Sequence, residues 1–233
     1  MNMKLFIKGL KDGIPIAMGY LAVAFTLGIA AGNINMDAIQ SFFMSFGMLA
    51  SAGEYAAIVL IGSAAGVIEM IATTLVINLR YFLMSCSLSQ KLSSDIPMWK
   101  RLLLAWFVTD ELFGISSAVD GHLDPIYTYG AAVVSVAGWC LGTVLGVVVG
   151  DVLPVRLASA MNVALYGMFL AIIIPPARRS HFMAGLVIIA MVASFIFTKA
   201  PMLSDISEGF RIIILTVVIS GIAAYIKPVT EER

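Results

Sequence analysis

The sequence predicts an all-α polytopic membrane protein, and three observations carry that prediction. Of the 233 residues, 61% are hydrophobic and 12% charged, with a mean hydropathy of +1.00. Soluble domains sit nearer half apolar and a quarter charged. The apolar residues gather into stretches close to the roughly 20 that a helix needs to cross the hydrocarbon core. No stretch has the roughly ten-residue alternation of a membrane barrel, and helices and closed barrels are the structures that satisfy their backbone in lipid. Room exists for seven to eight helical segments and little else, so 1–233 reads as a single integral membrane transporter domain.

The segments fall at 14–32, 38–62, 66–88, 101–119, 126–150, 157–175, 182–200 and 210–226. Ahead of them, MNMKLFIKGLKDG is amphipathic and basic and lacks the compact apolar core and small-residue cleavage site of a signal peptide. It reads as a surface helix or lead-in. Segment 126–150 carries Gly138, Gly142, Gly146 and Gly150 on one helix face, and 14–32 carries Ala24, Gly28 and Gly32. Such stripes let helix backbones approach closely. The tyrosines and tryptophans read as interface anchors.

Topology follows from the basic residues, all but Arg80 of which lie at or beyond segment ends. With eight crossings and the N-terminus inside, seven (Lys4, Lys8, Lys11, Arg178, Arg179, Lys227, Arg233) fall inside and six outside, which conflicts with the positive-inside rule. If 38–62 enters and leaves on one face, broken near Ser51-Ala52-Gly53-Glu54, the split becomes nine to four. If 157–175 is re-entrant too, it becomes eleven to two, with Lys199 and Arg211 outside. That arrangement divides the chain into inverted repeats of four segments each, 1–120 and 121–233, a common transporter plan. Leu49-Ala50-Ser51-Ala52 is echoed weakly by Leu157-Ala158-Ser159-Ala160. An eight-span bundle and a seven-span protein remain open alternatives.

Glu54, Glu69, Arg80, Asp110 and Glu111 lie inside these apolar stretches. On insertion scales an ionised group costs about 2.5–3.5 kcal/mol at mid-membrane, so five of them imply a polar path. The glycine beside Glu54 marks a helix break, whose freed amides would bind an anion such as an amino-acid carboxylate; a continuous helix with Glu54 hydrogen-bonded to a neighbour is the alternative. Thr74 and Asn78 share a helix face. Arg80 either pairs with a carboxylate on another helix or snorkels toward Gln90 and Lys91. Asp110 and Glu111 point about 100° apart on a helix, so one can face Arg80 while the other faces a cavity. Asn162 and Tyr166 share a face of 157–175.

Several function classes are disfavoured. Net charge is zero, so no basic face suggests nucleic acid. Cys86 and Cys140 lie in apolar segments and read as buried thiols. His122 and His181 have no partner at metal-site spacing, and no cofactor is expected. No Gly-x-Ser-x-Gly or His-Glu-x-x-His pattern indicates an enzyme.

Three pieces together resemble the AzlC-type branched-chain amino-acid permeases: Gly13-Ile14-Pro15-Ile16 through Gly19-Tyr20, then Ala50-Ser51-Ala52-Gly53-Glu54-Tyr55, then Thr73-Thr74 through Asn78-Leu79-Arg80-Tyr81. Asp110-Glu111 before a later aromatic residue fits as well. The resemblance runs from about residue 9 to 120 and more weakly to 175. It implies a multi-pass permease of the bacterial inner membrane, N-terminus cytoplasmic, for branched-chain or other hydrophobic amino acids. It further implies export and a small hydrophobic AzlD-type subunit of roughly four helices; proton coupling is read from the carboxylates themselves, since burial raises and a nearby cation lowers a carboxylate pKa. One departure stands out: the position of Glu54 usually carries glutamine in that family, so a carboxylate implies altered charge selectivity or ion coupling. On this reading Ser51, Gly53, Glu54, Tyr55, Thr74 and Asn78 bind substrate, while Glu54, Arg80, Asp110 and Glu111 form a gate or proton relay. A permease for another small solute and a non-transporting membrane scaffold are the rival expectations.

Overall fold

The structure is a computed structural model. It describes residues 2–150, 180–200 and 206–227, together with positions 152, 154, 156, 163, 170, 173, 174, 177 and 178. Of segment 157–175 only positions 163, 170, 173 and 174 are described, so its expected re-entrant turn, its Asn162/Tyr166 face and its echo of 49–52 lie outside the described residues. Those described are helical and carry no strand, apart from one isolated bridge between Leu92 and Leu123. By contact they form two compact units, Met1–Tyr55 with Asn78–Val163 and Ala56–Ile77 with Ala164–Arg233.

The first unit is organised by two long helices, α1 (Met3–Asn33) and α7 (Pro125–Gly150). α1 absorbs both the basic lead-in and segment 14–32. The glycine stripe of α7 packs on α1 at backbone distance: a methyl group on Gly138 would lie 2.5 Å from the Ala17 carbonyl oxygen, and one on Gly142 2.5 Å from that of Leu21. Further along, Gly13 meets Ala131 and Val134, and Gly150 meets Ile29. Residue numbers rise together on both helices, so α1 and α7 run parallel. Their N-terminal ends are tied by the Tyr127 hydroxyl, which donates to Asp12 (2.8 Å), and by Lys8 over the Tyr127 ring.

Segment 38–62 is two short helices, α2 (Ala38–Met48) and α3 (Ser51–Gly62). A capping box starts α2: Asp37 accepts from the Gln40 amide (2.8 Å), and Gln40 accepts from the Asp37 amide (3.1 Å). Leu49 ends it in the left-handed region (φ 47°), a conformation that costs a non-glycine residue on the order of 1–2 kcal/mol. The break therefore lies at Leu49 and Ala50, just ahead of the predicted Ser51-Ala52-Gly53-Glu54. α2 starts where α1 ends and by Ser45 has reached Thr143, in the second half of α7.

After α4 (Val67–Gln90), segment 101–119 departs from expectation. Predicted as one crossing, it is α5 (Met98–Trp106) and α6 (Asp110–Ser117), separated by 107–109. The Thr109 hydroxyl accepts from the Leu112 amide and caps α6. At about 1.5 Å per residue, neither helix approaches the ~30 Å core. α5 begins beside the start of α7, where the Tyr129 hydroxyl donates to the Lys100 carbonyl (2.6 Å). α6 ends there too: Ser116 and Thr128 share a hydrogen bond (2.8 Å), and Lys91 donates to the carbonyls of Ser117 and Val119. The segment thus returns to the end from which it started.

That return corrects the inverted repeat. Halves 1–120 and 121–233 of opposite orientation would set their first helices, α1 and α7, antiparallel; the glycine-mediated packing is parallel. With 101–119 returning, Lys4, Lys8, Lys11, Lys91, Lys100 and Arg101 gather at one end of the unit, hereafter the basic end. Arg101 is spent there on the carbonyls of Ser89, Ser93 and Ile96. A buried cluster of Leu88, Leu92, Leu104, Val108, Leu123 and Tyr127 fills the space between.

The second unit contains α8 (His181–Lys199) and α9 (Glu208–Ile226). Glu69 caps α9 from α4, accepting from the Ser207 hydroxyl and the Gly209 amide (3.0 Å). No residue of α8 is buried, as an apolar lipid-facing helix requires. Among the described residues, five helices (α1, α4, α7, α8 and α9) are long and apolar enough to cross a membrane.

Two tests follow. In a background of Cys86→Ser and Cys140→Ser, cysteines at Ser94 and Asp120 should be labelled by an impermeant maleimide from the same side, and one at Asn33 from the opposite side. Opposite labelling of Ser94 and Asp120 would restore a crossing at 101–119. Gly142→Val should lower stability by about 1–3 kcal/mol or more through overpacking against backbone, read as thermal unfolding in detergent. Gly19→Ala, with nothing within 4 Å of its added methyl, should not.

Candidate functional site

Both helix breaks of the first unit open onto one polar cluster at mid-length of α1 and α7. Glu54, in the first turn of α3, is fully buried (0% exposed). Its Oε1 accepts from the Ser45 hydroxyl (2.5 Å) and its Oε2 from the Trp139 indole N–H (2.9 Å). Ser45 Oγ lies 2.7 Å from Thr143 Oγ1. Each oxygen of the Glu54 carboxyl thus has a hydrogen-bond donor, one from α2 and one from α7.

The second break is connected through aromatic rings. The Trp139 and Tyr20 rings meet edge to face, with centroids 5.2 Å apart. The Tyr20 hydroxyl reaches both Thr109 Oγ1 (2.6 Å) and Glu111. One phenolic proton serves one acceptor; an ionised Glu111 has no proton to give, so it takes the phenol's, and the Thr109 hydroxyl supplies the other bond. Its neighbour Asp110 turns the other way and pairs with Arg80 (2.9 Å). The Arg80 guanidinium also lies over the Tyr81 ring (4.9 Å) and donates to its hydroxyl (3.0 Å). The two adjacent acids therefore divide as their spacing requires, one to the arginine and one away from it.

Asn78 closes the circuit. Its side-chain amide lies flat against Gly53, where an added methyl would come within 2.9 Å of both amide atoms. Its Oδ1 is buried and without a hydrogen-bond partner among the described residues. Contacts thus run from Glu54 through Trp139 and Tyr20 to Glu111, and from Asp110 through Arg80 and α4 to Asn78 and Gly53. Of the other predicted residues, Ser51 opens α3 and Tyr55 follows Glu54, both half-buried. Thr74 precedes Asn78 by one turn of α4 but groups with the second unit. Glu69 takes no part, being spent on the start of α9.

Sequence reasoning missed Tyr20, Ser45, Thr109, Trp139 and Thr143. Reading Trp139 as an interface anchor was wrong, since it is 3% exposed and its N–H is committed to Glu54. A tryptophan beside the glycine face of α7 must enter the interior with those glycines, and that was the available signal.

Comparison with known proteins bears on this cluster. The profile of the AzlC protein family matches residues 15–153. The chain belongs to the AzlC family. The matched region runs from Pro15 in α1 past the end of α7 and carries every residue of the cluster. This AzlC chain is 29% identical over 183 residues to a membrane protein of Archaeoglobus fulgidus, covering 78% of this chain and 80% of that one. It is 26% identical over 150 residues to the inner membrane protein YgaZ of Escherichia coli, covering 63% and 61%. A Helicobacter pylori membrane protein is 25% identical over 153 residues, covering 63% and 66%. The match thus spans about three-fifths of YgaZ. No solved structure matches.

Trp139→Phe keeps the ring and removes the N–H from a buried acceptor. It should cost about 1.5–3 kcal/mol, the range for a hydrogen bond to a charged group. In a Glu54→Leu background the same change should cost at least about 1 kcal/mol less, a coupling read by a double-mutant cycle of unfolding.

Proposed function

We propose that this AzlC chain is a permease for branched-chain or other hydrophobic amino acids, acting as an exporter with a small AzlD-type subunit. The observation that carries this reading is the meeting of two mid-depth helix breaks in one polar cluster with an unpartnered amide oxygen, Asn78 Oδ1, at its edge. Broken helices expose amides and carboxylates where a zwitterion can exchange them for its hydration shell. The start of α3 at 51–55 takes the α-carboxylate. Asn78 and Glu54 take the ammonium, with Thr74 one turn before Asn78 on α4. Gly53 supplies the close backbone approach, and surrounding apolar side chains take the aliphatic tail.

Arg80 with Asp110 forms the gate, and Glu111 and Glu54 pass a coupling proton. An ion pair that can open, beside acids with separate partners, is what such a relay needs. The gathering of six basic residues at one end supports an N-terminus on the cytoplasmic face of the bacterial inner membrane. The protein is read as a carrier rather than an enzyme, and the total of seven to eight segments belongs to the same proposal.

The test is counterflow of radiolabelled valine in proteoliposomes, with this chain and with its small partner. Uptake should be competed by leucine, fall at least tenfold in Asn78→Ala, and lose its pH dependence in Glu54→Gln or Asp110→Asn. Absence of counterflow from folded protein in both preparations would transfer the site to another small solute, or the chain to a scaffold role. Full transport and full pH dependence in both acid variants would end the relay reading.

A further inference from the structure

Glu54 presents a charge problem that the cluster does not solve. It is fully buried, and among the described residues the arginine of the cluster is engaged by Asp110. The groups on Glu54 are neutral: Ser45 from α2, and Trp139 and Thr143 from α7. The C-terminal end of α2, whose last carbonyls carry partial negative charge, is Met48, six residues before it. A buried carboxylate beside a helix C-terminus gains from a positive charge at the same place.

Oxygen atoms for such a charge are already assembled. Ser45 Oγ lies 2.5 Å from Glu54 Oε1 and 2.7 Å from Thr143 Oγ1, so three oxygens from three helices converge. Ser41 stands one turn earlier on the same face of α2. It is fully buried (0% exposed), and its hydroxyl has no partner among the described residues. A lone buried hydroxyl above this group is an independent sign that something polar belongs there.

We propose that Glu54, Ser45, Thr143 and Ser41 form a binding site for a small monovalent cation of the sodium class. One carboxylate with neutral hydroxyls balances a single positive charge. A calcium-type ion takes six to eight oxygens, often with several carboxylates, and magnesium keeps much of its water. The inference rests on the reading of Glu54 as the coupling group of the permease, and puts a sodium-class ion at Glu54 in place of the proton.

Trp139 supplies the reporter, since its N–H is bonded to Glu54. Trp99 and Trp106 are exposed, so full-length protein carrying Trp99→Phe and Trp106→Phe has Trp139 as its fluorophore. Replacing choline chloride by sodium chloride at constant ionic strength should give a saturable change in emission. Half-saturation should rise at least tenfold in Ser45→Ala and Ser41→Ala, and the change should vanish in Glu54→Gln. Identical emission in the two salts from pH 5 to 9, or a sodium response surviving Glu54→Gln, would overturn the site. Should the double tryptophan variant not fold, the unaltered chain decides. Sodium must raise its thermal unfolding temperature over choline but not that of Glu54→Gln, and equal temperatures overturn the proposal. Valine counterflow separates the two readings. Counterflow without a sodium response leaves the permease coupled otherwise, and a sodium response without counterflow leaves the site and removes the substrate.

Discussion

The parallel packing of α1 on α7 is the constraint from which the rest of the first unit follows. Gly138, Gly142 and Gly146 each remove a side chain that would collide with the α1 backbone, so the two helices approach closely over that stretch. That contact sets Tyr20 against Trp139. Those rings then present a hydroxyl to one broken helix and an N–H to the other. Without hydrophobic attraction between helices in lipid, close packing of this kind is the main source of specific association, and the polar cluster depends on it for register.

The cluster is in turn a way of making charge tolerable at mid-depth. Each ionisable group has its own partners: Asp110 and Arg80 neutralise one another, Glu111 has a phenol, and Glu54 has a hydroxyl and an indole N–H, both neutral. None lies on a continuous stretch of membrane-spanning helix where its neighbours would be aliphatic, save Arg80, whose side chain reaches out to the start of α6. The breaks cost backbone hydrogen bonds and, at Leu49, a strained conformation; in exchange they give amides and short helix ends to groups that hydrocarbon cannot solvate.

Much of this was legible in residue order, and the failures have physical causes. The glycine stripe announced a close neighbour, though not that the partner would be parallel, because periodicity gives a face and not a direction. The break in 38–62 was legible from Gly53 beside Glu54, yet it fell at Leu49, a residue with no turn preference, where tertiary contacts impose the conformation. In 101–119 the signals of a helix start were present: Thr109 followed by two acids is an N-cap with a favourable first turn. They were outweighed by an apolar length that suited one crossing. Trp139 and Glu54 are 85 residues apart, and no local pattern links them. Family membership was legible because its motifs lie in the segments that build the cluster.

The returning hairpin at α5 and α6 has a consequence for biogenesis. Neither piece is long enough to partition into the bilayer as a span, and α5 begins with Lys100 and Arg101 close together. A translocon that releases helices by apolar length would leave this stretch at the surface while α4 and α7 move into lipid. The hairpin then enters a slot whose walls already stand, guided by Lys91 and Arg101, which close the ends of α6 and α4 by binding their last carbonyls. On that order Thr109, Asp110 and Glu111 would be the last members of the polar cluster to reach their partners.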